Sequence, residues 1–174
     1  MWRYAIPIAL FAALIAFFFV GLGRDKETLP SPLIGKPAPA YDLPIVEDPA
    51  RRVSNKDFAG KPHLVNIWGT WCPGCRQEHP VLLEIAKRNV VPMVGIDWKD
   101  DLAMAQQWLR EYGNPYAVTG FDEDGRVSID WGAYGAPETF LVDAQGIVVH
   151  KHVGPLTIEA WERDFMPRLR GDKE

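Results

Sequence analysis

Cysteine is nearly absent, with two residues in 174, at positions 72 and 75. That scarcity excludes a disulfide-dense scaffold, and 15 Gly and 15 Pro are too few for a collagen-like fibre. Positive charge is also short. The chain carries a net −4, and Arg3, Arg24 and Lys26 outweigh Asp25 at its start, so residues 27–174 stand at about −6. An acidic domain without a basic stripe is no candidate for nucleic-acid binding. Histidine is limited to His63, His79, His150 and His152, a thin supply for a metal centre. Internal repeats and low-complexity segments are missing. What is present is an ordinary globular load, 47% hydrophobic and 24% charged. Beyond the first 22 residues it fills roughly 150 positions, enough for one domain around one core.

The longest hydrophobic run lies at the start. From Tyr4 to Leu22 there are 19 residues without a charge. As a helix they reach ~28 Å, close to the ~30 Å hydrocarbon thickness of a bilayer. A soluble helix would show a polar face, and this run has none. A cleaved signal would end in small residues; this one ends in Phe17-Phe18-Phe19-Val20-Gly21-Leu22. The expectation is an uncleaved signal anchor over 1–23, a Pro- and Gly-containing tether over 24–37 and a folded domain over 38–174. The flanking charges barely set an orientation, because Arg24 and Lys26 oppose Arg3 and the amino terminus.

Within the domain, residues 63–68 read as a buried strand, followed by a turn at 72–75 and a helix to about Asn89. Residues 90–97 predict a second strand. Asp100 or Asp101 caps a helix carrying Leu102, Ala105, Trp108 and Leu109, which ends at Gly113. A third strand is expected over 116–121, then a solvated acidic turn at Asp122-Glu123-Asp124. Residues 139–142 and 147–153 flank a Gly-containing loop, the pattern of an antiparallel hairpin. Thr157 opens a final helix through Trp161, Phe165 and Leu169. This order predicts an α/β domain, a mixed central sheet with helices on both faces.

Both cysteines fall in a single C-x-x-C between a strand and a helix start. Unpaired N–H groups and the positive dipole end there stabilise a thiolate, the reactive form. Cys72 is expected to be the exposed, attacking residue and Cys75, one turn on, the resolving one. Pro73 suits the first helical turn, where its missing N–H costs nothing. A zinc site using Cys72, Cys75 and His79 would be one ligand short of the usual four. A copper-handling module spaces its thiols wider and adds a distant His. An inert bridge over so short a loop would stabilise little. A peroxide-reducing site would place Thr where Gly69 stands.

Asn66-Ile67-Trp68-Gly69-Thr70-Trp71-Cys72-Pro73-Gly74-Cys75-Arg76, with Pro80 beyond, resembles the thioredoxin superfamily. Trp71 to His79, Gly113-Asn114-Pro115-Tyr116 and the stretch Tyr134 to Asp143 narrow the resemblance. It is to the thiol:disulfide interchange proteins of cytochrome c maturation, the CcmG/DsbE family. The resemblance covers nearly the whole chain. It implies a thioredoxin-like fold behind one transmembrane helix, anchored in the bacterial inner membrane with the domain in the periplasm. It implies a redox-active Cys72–Cys75 pair, no cofactor and no metal. The client would be apocytochrome c or an assembly factor that holds it, and electrons would arrive from a DsbD/CcdA-type membrane protein. A general periplasmic reductant is the neighbouring alternative.

The same resemblance marks Pro137 as a cis-proline opposite the disulfide and Ala136 as a backbone partner for an extended client. Glu138 and Glu78 are the acids it places near the site. Where many thioredoxins keep a buried Asp six residues before the first cysteine, this chain has Asn66, which accepts no proton. Another acid must take the proton of Cys75 during resolution, and Glu138 is expected before Glu78. Trp71 is expected beside the disulfide, Trp68 in the core and His79 on the helix surface, while Pro80 is expected to kink the helix.

Overall fold

The structure, a computed structural model, describes residues 2–22 and 31–171. The apolar N-terminal run forms helix α1, Trp2–Leu22. Its described large side chains, among them Ile6, Leu10, Phe11 and Phe17, are exposed. Among the described residues no helix is long and apolar enough to cross a membrane. Residue 1, residues 23–30 with the first half of the expected tether, and the last three residues lie outside the described ones.

The domain is built on five strands. In chain order they are β3 (His63–Trp68), β4 (Met93–Trp98), β5 (Val118–Asp122), β6 (Glu138–Val142) and β7 (Val148–Val153). A separate small hairpin, β1 (Asp42–Pro44) and β2 (Arg52–Ser54), precedes them. The large sheet runs β5-β4-β3-β6-β7. Its β3–β4 and β4–β5 pairs are parallel, and its β3–β6 and β6–β7 pairs antiparallel, so the sheet is mixed as expected. The parallel pairs need crossovers. Helices α2 (Pro73–Arg88) and α3 (Leu102–Tyr112) supply them.

Each strand sends alternate residues to opposite faces. Leu64, Trp68, Met93 and Leu141 meet Leu82 and Ile85 of α2, Trp108 and Leu109 of α3, and Trp161 and Phe165. The last two belong to the C-terminal helix, which runs as α5 (Ile158–Ala160), a π turn over Trp161–Phe165, and α6 (Met166–Arg170). The other face packs Val65, Ile67, Val94, Ile96, Phe140 and Val142 against Leu43 and Val53 of the small hairpin and against Trp131. Trp131 closes the short helix α4, Arg126–Asp130. Helices thus cover both faces, but a hairpin shares the second.

Four local expectations change. Asp122 is buried, because its carboxylate caps the start of α4, accepting from the Val127 and Ser128 amides and the Ser128 hydroxyl. Residues 33–37 do not hang free. Gly35 and Lys36 exchange backbone hydrogen bonds with Val148, at 2.8 and 2.9 Å, and so extend the edge of β7. Strand β4 begins at Met93, after Pro92, and β5 begins only at Val118. Helix α4 and the small hairpin were not expected, since elements of three to five residues are too short to show a period.

Candidate active site

Strand β3 lies at the middle of the sheet and delivers the chain into the turn 69–72. Helix α2 starts there with Cys72 as its N-cap and Pro73 in its first turn. The Cys75 amide donates to Cys72 Sγ at 3.0 Å, and the two sulfurs are joined in a disulfide with Cα atoms 5.3 Å apart. The structure is thus that of the oxidised protein. Cys72 is not the exposed residue expected: it is only 2% exposed, and Cys75 3%. Turning inward to cap the helix buries its sulfur. The burial is shallow, since Trp71 and Pro73 on either side are exposed.

The Ala136–Pro137 bond is cis. Pro137 lies against the active-site turn: a Cβ on Gly74 would meet Pro137 Cδ at 2.9 Å and Pro155 Cγ at 3.3 Å. A side chain at position 74 would have to displace these prolines from the turn. Trp71 is half exposed, and its indole folds back over Gly69 and donates to the Trp98 carbonyl at 2.9 Å. Trp68 is buried and stacks on Tyr116.

Two buried glutamates differ in their partners. Glu78, one turn beyond Cys75 on α2, accepts from the Leu156 amide at 2.8 Å and from Asn66 Nδ2 at 2.9 Å. Asn66 Nδ2 also donates to Thr139, and Asn66 Oδ1 accepts from the Tyr116 hydroxyl at 2.7 Å, so the amide is locked in one orientation. Burial raises the Glu78 carboxyl to about 7, against the smaller opposing effect of its two N–H donors. Glu138 shares the sheet face of Phe140 and Val142, opposite to that of Asn66. Lys151 Nζ lies 2.8 Å from its Oε2 in a buried ion pair, and the Tyr134 amide donates to Oε1. The sequence ranking put Glu138 first, yet its charge is already balanced. Glu78 meets only neutral donors.

His79 is not on the surface. Its Nε2 donates to the Gly113 carbonyl at 3.0 Å while Nδ1 accepts from the Trp108 indole, an arrangement that fits a neutral ring. Burial accordingly lowers its pKa. A residue the sequence reading used only as a helix cap also reaches the site. Asp100 accepts from the amide and, at 2.7 Å, from the hydroxyl of Thr70, two residues before Cys72. The start of α3 is capped by Asp101 instead. No local pattern announces a bond across 30 residues.

A helix-capping disulfide beside a cis-proline and a buried acid is equipped for thiol exchange. The Redoxin family model matches residues 33–164. The thiol:disulfide interchange protein DsbE of Pseudomonas aeruginosa is 51% identical over 162 residues, covering 93% of this chain and 89% of that one. The chain belongs to the DsbE family. The DsbE of Escherichia coli K12 is 42% identical over 168 residues, covering 93% and 90%. A crystal structure of a putative DsbE from Chlorobium tepidum superposes with a TM-score of 0.67 at 25% identity, covering 78% of this chain and 97% of that one. The fold is thioredoxin-like, and this DsbE-family chain is a thiol:disulfide oxidoreductase.

Proposed function

We propose that this chain is a membrane-anchored periplasmic reductant that opens disulfides in apocytochrome c, or in an assembly factor holding it, so that haem can attach. In the reduced protein the Cys72 thiolate attacks one sulfur of the client disulfide, and the other client sulfur leaves with the electron pair. Cys75 then gives its proton to Glu78 and attacks Cys72 Sγ. The client departs as a dithiol, and the Cys72–Cys75 disulfide remains. A DsbD/CcdA-type membrane protein would return two electrons to it.

The observation that carries the mechanism is Glu78, a buried carboxyl on the resolving cysteine's own helix with no cation partner among the described residues. A base poised near the working pH is the most effective one. Pro137, Ala136 and the exposed Trp71 would form the rim against which the client lies. Glu138, held by Lys151, supports the turn before that rim. The anchor rests on the 19 uncharged residues from Tyr4 to Leu22, which fall within a 21-residue helix.

The test is capture in living cells. The Cys75→Ser chain should accumulate mixed disulfides on Cys72 with apocytochrome c or an assembly factor. Capture of many unrelated envelope proteins would indicate the general reductant instead.

A further inference from the structure

Asp97, next to last in β4, pairs with Trp68 on the sheet face that also carries Asn66. It is fully buried, and neither of its carboxyl oxygens has a hydrogen-bond donor. Nothing in the thiol chemistry above uses it. A buried carboxylate in that condition would be very costly, so either a cation or a proton must neutralise it. No cation pairs with it among the described residues, and no group of three acids, cysteines or histidines there is placed to hold a metal ion.

The neighbouring ionisable groups decide the matter. Asp100, three residues on, has its own donors in the Thr70 amide and hydroxyl and the Asp101 amide. Asp122, at the end of the adjacent strand β5, has the Val127 and Ser128 amides and the Ser128 hydroxyl. Tyr116 commits its hydroxyl to Asn66, and the Lys99 side chain lies against Gly125. Of the three carboxyls, Asp97 alone lacks donors, and Asp100, three residues on, is the carboxylate that bears on it most strongly. Two acceptors can bond only if one of them carries a proton.

We propose that Asp97 is a positioning residue for the disulfide: as a neutral carboxylic acid it donates a hydrogen bond to Asp100, and so holds that carboxylate against Thr70. The chain from Asp97 through Asp100 to Thr70 then fixes the loop that carries Trp71 and Cys72. Burial first, and the Asp100 and Asp122 charges after it, raise the Asp97 carboxyl to about 9. Above that pH the pair would become two repelling carboxylates, and the loop would lose its tie. The inference rests on the oxidoreductase reading of Cys72 and Cys75 and adds to it the group that places Cys72.

The experiment uses the full-length chain, wild type, Asp97→Asn and Asp97→Leu. Carbon-13 NMR of the side-chain carboxyls should show Asp97 titrating near pH 9, with the Asp100 signal moving alongside. In equilibrium with glutathione at pH 7, Asp97→Asn should match wild type, because an amide still donates to Asp100. Asp97→Leu should shift the dithiol–disulfide equilibrium constant about fivefold, the effect of one lost hydrogen bond. Above pH 9 wild type should depart from Asp97→Asn. Should the Leu variant not fold, that alkaline divergence and the carboxyl titration decide alone. Titration of Asp97 below pH 5, or equal shifts in both variants, overturns the proposal. A wild-type chain that exchanges no disulfide would sink the oxidoreductase reading, while the carboxyl titration would still report on the pair.

Discussion

Glu78 and Glu138 are both fully buried, yet they do opposite things. Glu78 lies on the helix face of the sheet, where its oxygens meet amide hydrogens from Leu156 and Asn66. Glu138 lies on the other face, where Lys151 neutralises it at 2.8 Å and also donates to the Gly132 carbonyl at 3.0 Å. The Lys151 ammonium sits 4.7 Å from the Tyr134 ring centre as well. Burial alone therefore does not make a proton acceptor. The partner decides: Glu78 meets neutral donors and has no counter-charge, whereas Glu138 has the Lys151 ammonium against it.

The comparison breaks first, and most severely, in the proton-transfer step. Glu78→Gln should slow decay of the Cys72 mixed disulfide by about a hundredfold, the low end for general-base catalysis. The wild-type rate should rise as pH passes through about 7, where Glu78 loses its proton, and that rise should vanish in the variant. Stopped-flow decay of a trapped peptide adduct would measure it. Glu138→Gln should leave the inflection in place, and its loss there would reverse the two roles.

Stability sharpens the contrast from the other side. Lys151→Met leaves the Glu138 charge buried and unpaired, and should cost about 3–5 kcal/mol in urea unfolding. Adding Glu138→Gln should restore most of that loss. Glu78 brings a pH dependence of its own. Its folded pKa is raised above the unfolded value, so its contribution is complete below about 4.5 and declines as pH climbs through about 7. Glu78→Gln should flatten the stability curve over that window. The smallest effect belongs to Tyr116→Phe. It strands Asn66 Oδ1 without a donor, at a cost of about 1 kcal/mol. It should also shift the inflection of the exchange rate, since the freed amide no longer has to point its N–H at Glu78.

Much of the molecule follows from short stretches of chain. The run 63–68, the turn at Cys72 and Cys75 and the hairpin around Gly146 were legible because strand period, helix-start residues and turn residues act over a few positions. Pro137 was legible only through resemblance. What could not be read was which side of the sheet a residue joins and what waits for it there. His79 and Asp122 read as surface groups, but a carbonyl from Gly113 and the amides of α4 take them inside.

The sequence by itself determined that two cysteines meet at a helix start in a mixed-sheet domain, because spacing and turn chemistry are local properties. Only the tertiary structure decided what each of the acids meets. That choice depends on donors and cations brought from distant positions: Leu156 to Glu78, Lys151 to Glu138 and Thr70 to Asp100. A charge placed in a low-dielectric interior takes its state from whatever surrounds it.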